Sequence, residues 1–501
     1  MFFLSVQFKR RYRMFYLSIL TIFVVWIIKK ILDYKRVNAQ LKDFVSPPGH
    51  FLLGNWRVFQ NKTKTLNKIT KLSREYGPRL RFNCLGLCVL FVTDREFLKL
   101  LLGTTKIMNK DNTYEQIEPW LGTGLLTCKK EKWEKTRKVL TPAFHLQVLE
   151  SYICNFHQPI TNLIKKLETY VTKDSFDVYP VITLCTLDVI CETAMGTTIN
   201  AQNNEESTYV KSVKEMLRIV QDRSQSVWKI FHVGFLLSRD YWKQKRALKV
   251  LHEFTKNVID KKRLEKINDV KKNFNEKKKL SFIDLLLEAN INDKEIAHEV
   301  DTFMFAGHDT TASGISFLLY CLSKHKQVQD KIIDELFHIF GEDDRFPTLQ
   351  DFNEMQYLNL VIKESLRLYP PVPVYIRSSD VDIELGKWTI PKKVSIAIFP
   401  YGYHRNPDLF ENPEEFIPER FNTEMEPFTY LSFSLGPRNC IGQKFAIFEM
   451  KAIISRILRR FEILPVDGYE PIPVSNVVLG SANGIQIKLK KRESLFPSKT
   501  T

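Results

Sequence analysis

Phe433-Ser-Leu-Gly-Pro-Arg-Asn-Cys-Ile-Gly442, running on into Gln443-Lys-Phe-Ala446, is the stretch from which the fold of this 501-residue chain is read. Gly436 and Gly442 suit backbone conformations that a side chain forbids. Pro437 stiffens the turn between them. The spacing therefore places Cys440 on a rigid loop at the start of a helix, with Arg438 two residues before it. Backbone amides at a helix N-terminus and a nearby guanidinium both favour a thiolate. A thiolate held this way is a nucleophile or a metal ligand, and the loop alone leaves both open.

Composition is globular, 44% hydrophobic and 26% charged with no internal repeat or low-complexity tract, and the length suits two or three average domains or one large catalytic domain. The net charge of +17 comes in good part from the run Lys261 to Lys279. Such a run is a solvated helix and loop, or a face for an anionic membrane or an acidic partner. The chain shows no zinc-finger spacing, no recognisable nucleic-acid reader module and no aromatic interleaving in the basic run, which argues against nucleic acid. Cys84, Cys88, Cys128, Cys154, Cys185, Cys191 and Cys321 are scattered and mostly in apolar surroundings, so they read as free thiols in a reducing compartment.

In chain order, Met14 to Ile28 is uncharged and apolar, with Lys9, Arg10, Arg11 and Arg13 before it and Lys29 and Lys30 after it. Extended through Ile31 and Leu32, it predicts an uncleaved membrane-anchor helix, so residues 1–45 form an anchor and linker. Ser46-Pro-Pro-Gly49 is a stiff hinge into the domain of residues 46–501. Leu80 to Thr93 predicts two strands turning near Leu85-Gly86. Trp133 and Arg137, four apart, share a helix face. Residues 150–290 are helical in pattern. Asn292-Asp-Lys-Glu295 predicts a capping box that opens a long, apolar, core-crossing helix ending near Leu322. Within it, Gly307, Thr310 and Thr311 weaken the hydrogen-bond ladder, and Asp309 sets an acid beside an alcohol. Glu364 and Arg367 are spaced to pair on a helix that Pro370 and Pro371 end. Trp388 to Phe399 reads as sheet, and Asn483-Gly484 before the alternating Ile485, Ile487 and Leu489 reads as a hairpin. The whole is mainly α with small β-sheets, an α+β class.

The cysteine loop, through Phe433, Gly436, Arg438, Cys440 and Gly442, resembles that of the cytochromes P450, the haem-thiolate monooxygenases. Ala306-Gly-His-Asp-Thr-Thr311, Glu364-Ser-Leu-Arg367 and the Trp133–Arg137 helix are similar to that family's other motifs and occur in its order. The resemblance runs from about residue 46 to the C-terminus and implies a P450 fold. It implies haem b with the Cys440 thiolate as axial ligand, propionates met by Trp133, Arg137 and Arg377, and Phe433 and Arg438 at the cofactor. Asp309 and Thr310 are implied as the pair that supplies protons during oxygen activation. Glu364, Arg367 and Arg420 (from Pro418-Glu-Arg-Phe421) are implied as a buried structural network. Within the family the nearest likeness is to the family-four group, where many members carry a Glu that esterifies the haem. Ala306 stands there in this chain, which implies a non-covalent porphyrin.

No flavin or nicotinamide domain is present, so the resemblance implies electrons from NADPH–cytochrome P450 reductase, with cytochrome b5 as an auxiliary donor. NADPH thus acts only through the reductase. The implied substrate is lipophilic: a fatty acid, hydrocarbon, hormone-like terpenoid or xenobiotic. The implied location is the endoplasmic reticulum membrane, catalytic domain on its cytoplasmic face. A haem-thiolate peroxide isomerase and a haem-based sensor are the competing readings, and neither needs the Asp309–Thr310 pair.

Overall fold

The computed structural model describes residues 35–50, 53–84, 87–203, 207–226, 228–271, 281–289 and 291–492, and single positions between 18 and 32. The longer helices are α1 (Lys62–Tyr76), α2 (Lys130–Leu140), α3 (Leu146–Glu168), α4 (Val178–Thr193), α5 (Thr208–Ser224), α6 (Arg239–Lys271), α7 (Asp293–Lys324), α8 (Lys326–Phe340), α9 (Gln356–Leu368) and α10 (Gln443–Arg460). The expected mainly α architecture with small sheets is what the chain adopts.

Helix α7 is the axis. Asn292 caps it, its side-chain oxygen accepting from the Glu295 amide at 2.9 Å. Almost every residue from Val300 to Ser323 is buried, because the helix is apolar around its circumference and therefore packs on all sides. Helix α4 is of the same kind and lies against it, with α6, α9 and α10 also packed on it and α3 behind α4 and α10. The ladder stays helical from end to end. Thr310 and Thr311 donate backward to the Ala306 and Gly307 carbonyls at 2.6 and 2.8 Å, as their position in an apolar helix predicts.

A four-stranded sheet lies to one side, in the order Arg79–Cys84, Leu87–Val92, Ser395–Ile398, Tyr375–Arg377. Its central pair is parallel and its outer pairs antiparallel. Leu41 and Phe44 of the linker are buried in its apolar cluster. The two strands expected between Leu80 and Thr93 are its first pair; the turn at Leu85-Gly86 lies outside the described residues. So does most of the span expected over Met14 to Ile28, and among the described residues no helix is long and apolar enough to cross a membrane.

The C-terminal hairpin differs from expectation. Pro473–Asn476 pairs with Val478–Ser481 through Val477, which has φ 69°. Gln486–Lys491, the strand after Asn483-Gly484, pairs instead with Phe461–Leu464 and Phe176–Asp177. A side chain at Gly484, with φ 77°, would come within 2.8 Å of the Asp177 carboxylate. The glycine serves close approach to a distant segment rather than a two-residue hairpin.

Candidate active site

The cysteine loop is folded by its own backbone. The Cys440 amide donates to the Phe433 carbonyl at 2.9 Å, closing the loop that carries it. Ser434 and Gly436 have φ of 57° and 75°, and a Cβ on Gly436 would meet the Leu102 carbonyl oxygen at 1.9 Å. That glycine is obligatory. Gly442 is not: its φ is −87° and nothing lies within 4 Å of a Cβ built on it. It caps α10, and its amide bonds toward Cys440.

Cys440 has the accessible area of an exposed residue, yet burial is the largest influence on its thiol. Its accessible surface therefore faces a recess among surrounding protein atoms. Burial raises the thiol's pKa, while the Gly442 amide and the Arg137 guanidinium pull it down. The cation beside Cys440 is Arg137, not Arg438. Arg137, from α2, donates to the Asn439 carbonyl at 2.9 Å and its side-chain oxygen at 3.0 Å. Arg438 turns away, donating to the Met108, Leu125 and Cys128 carbonyls. Two residues along an irregular loop point in different directions, so nearness in sequence misidentified the partner. Trp133 is buried between the two guanidiniums, whose centres lie 6.0 and 5.4 Å from its ring.

Arg377 is buried, donates to the Ile107 carbonyl at 3.0 Å, and leaves its Nε without a partner. Lys110 pairs with it through a backbone bridge. Sequence reasoning passed over Lys110, which no motif flags. Burial, then Arg438 and Arg377, hold its ammonium well below the usual lysine range. Burial and the Arg377 charge likewise hold Arg438 down, to about 10. Among the described residues none of these three cations has a carboxylate within salt-bridge distance. An uncompensated cluster of buried cations is costly. It fits a group that brings its own carboxylates, as the two propionates of a haem would.

On α7, Asp309 is 3% exposed and accepts from Tyr179 Oη at 2.9 Å. Thr310 follows it, its hydroxyl on the Ala306 carbonyl. Glu364 accepts hydrogen bonds from both Arg367 and Arg420. Arg367 Nε donates to Glu364 Oε2 at 2.7 Å and its terminal nitrogen to Oε1 at 2.9 Å, while Arg420 Nε donates to Oε1 at 3.0 Å. The other Arg367 donors are taken by the carbonyls of His404, Pro413 and Glu415, so a fully buried ion pair is satisfied throughout. His404, also missed, hooks this network to the loop. Its Nδ1 lies 3.2 Å from the Arg367 carbonyl, and its Nε2 accepts from the Leu431 amide at 2.8 Å.

The cytochrome P450 family profile matches residues 45–489. The chain is 41% identical over 501 residues to human cytochrome P450 4V2, covering 94% of each. It is 38% identical over 496 residues to probable cytochrome P450 4s3 of Drosophila melanogaster, covering 95% of this chain and 98% of that protein. To cytochrome P450 4d2 of the same fly it is 39% identical over 462 residues, covering 88% and 92%. A thiol facing a recess, a cradle of carboxylate-free cations and matches along almost the whole length agree: this chain belongs to the cytochrome P450 family, in its family-four group, and is a monooxygenase.

Proposed function

We propose that the protein is a membrane-anchored haem-thiolate enzyme. It inserts one oxygen atom from O2 into a lipophilic substrate, with electrons from NADPH–cytochrome P450 reductase and cytochrome b5 as an auxiliary donor. In this reading the Cys440 thiolate would hold the iron of haem b. Arg137, Arg377, Arg438 and Lys110, with Trp133 between two of them, hold the propionates, because planar guanidiniums suit carboxylates. Phe433 fixes the loop through its carbonyl. Once bound, a haem with a thiolate ligand supplies the activation of dioxygen. Asp309 would relay protons into the site from its buried carboxyl, which Tyr179 Oη holds in place. Thr310 can exchange its bond to Ala306 for one to a ligand in the site. Glu364, Arg367 and Arg420 keep the loop in register. Ala306 offers no carboxylate, so the porphyrin is held without an ester.

Exposed Trp228, Phe231, Val233 and Leu237 support placement of the domain on a membrane, which we assign to the cytoplasmic face of the endoplasmic reticulum. The observation that carries the proposal is the Cys440 thiol beside the Arg137 guanidinium, with the buried cations Lys110, Arg377 and Arg438 lacking a carboxylate among the described residues. Its test is the carbon monoxide complex of the reduced full-length protein. The wild type should show the strongly red-shifted Soret band of thiolate ligation, and Cys440→Ala should lose it. Retention of that band in the variant would refute the assignment.

A further inference from the structure

Asp309 makes one hydrogen bond, from Tyr179 Oη to its Oδ1, while Oδ2 is buried without a partner among the described residues. No cation pairs with it there. Tyr179 stands in the first turn of α4 and is itself fixed. The Asp177 carboxylate caps that turn, accepting from the Tyr179 amide at 3.1 Å and from the Ile485 amide at 2.9 Å. Burial and the neighbouring Asp309 raise the Tyr179 phenol well above its usual range, so it keeps its proton and remains a donor. The other titratable groups near this pair are Asp177 on the α4 side, Tyr209 of α5, and His308 of α7 itself. Lys214 of α5 has its nitrogen 5.9 Å from the Tyr179 ring centroid.

We propose that Tyr179 is the positioning residue of Asp309. Its phenol pins Oδ1 and thereby leaves Oδ2 as the single oxygen free to take up and hand over a proton. This rests on the reading of Asp309 as a proton donor. The Thr310 hydroxyl does not compete, being bonded to the Ala306 carbonyl. Without the phenol, both carboxyl oxygens are buried and unpartnered, and the side chain must rotate or change its protonation to lower that cost.

The test is Tyr179→Phe in the full-length holoenzyme, which removes one oxygen and keeps the ring. The reduced carbon monoxide band should match wild type, showing an intact haem site. An infrared carboxyl band, identified by its loss in Asp309→Asn, should move in Tyr179→Phe; an unmoved band overturns the proposal. With reductase and NADPH and no added substrate, the share of oxygen released as hydrogen peroxide should rise severalfold, and its pH profile should shift. Asp309→Asn should do the same, and the double variant should go no further, since residues acting as one unit are not additive. Additive effects would show that Tyr179 acts elsewhere. If Asp309→Asn leaves peroxide release unchanged while the infrared band still moves, the proton-donor reading fails and Tyr179 is a structural neighbour only. A missing thiolate band in the wild type would sink the haem-thiolate assignment instead.

Discussion

Lys110 is enclosed beside Arg377 and Arg438, with no carboxylate to answer it among the described residues, and that fixes the sign of what its replacement does. Lys110→Met keeps the length of the side chain and removes a repelled charge. The haem-free protein should therefore become more stable, read as a higher unfolding midpoint. The holoenzyme should lose haem about tenfold faster to a scavenging apoglobin, since a charge-assisted bond contributes roughly 1.5–3 kcal/mol. Unchanged haem loss would remove Lys110 from the propionate cradle. Ile107-Met-Asn-Lys110 holds no spacing that marks the lysine, because its meaning arises only when the strand Tyr375–Arg377 is laid beside it. The cation next to Cys440 was hidden for the same reason: Arg137 lies 303 positions away in sequence, whereas Arg438 is two away and faces other carbonyls. The Cys440 loop and the Glu364–Arg367 pair could be read because their spacing along single segments is itself the geometry, whereas Arg420, 56 positions from Glu364, came only with the family resemblance.

Helix α7 was the most legible element, since its cap and its apolar circumference are local properties. It also carries two carboxylates, Glu299 and Asp301, whose presence in an apolar helix was a signal left unused. The Glu299 carboxylate accepts from the Leu125 amide at 3.0 Å, and Arg438 donates to the Leu125 carbonyl at 3.2 Å, so one loop residue ties α7 to the cysteine loop. Asp301 accepts from Thr255 of α6 at 2.5 Å, with His252 at 3.9 Å. Burial pushes Glu299 up to about 7 and Asp301 up to about 8. A carboxyl whose folded value is raised binds more protons folded than unfolded, between its ordinary range and the raised value. Stability therefore falls as pH rises through that window, by up to about 1.4 kcal/mol per unit for each group. Asp301→Asn cannot ionise. Its unfolding free energy should decline less steeply than wild type between roughly pH 4 and 8, the interval between the ordinary and raised values. Denaturant titrations at several pH values check this; parallel curves for the two proteins would show that Asp301 is ionised in the fold.

Taken as a whole molecule, the chain places its apolar surface unevenly. Between α5 and α6, Trp228 is 50% exposed, Phe231 60%, Val233 69% and Leu237 82%, and Trp242 at the start of α6 is 59% exposed. Lys229, Arg239, Lys243 and Lys245 are interspersed, the mixture of apolar bodies and cations that suits an anionic bilayer surface. The sequence could not single these residues out, because in a helical stretch exposed and core apolar side chains look alike until packing separates them. The patch is near the entry of the chain: Lys62 at the start of α1 is ion-paired to Asp222 near the end of α5, so the segment following the linker meets the segment leading into the patch. An anchor at residues 1–45 and this patch would then engage one bilayer at two points, with the patch contributing on the order of 1 kcal/mol for each apolar side chain half-inserted. In full-length protein reconstituted in vesicles, brominated acyl chains should quench part of the tryptophan fluorescence. That part should shrink in a Trp228→Phe, Trp242→Phe double variant, and also when Phe231 and Leu237 are changed to Asp with both tryptophans kept. The Asp variant should retain its haem, since neither position touches the described core around Cys440. Quenching that is the same in all three proteins would mean that only the N-terminal segment meets the lipid, and that the patch faces something else.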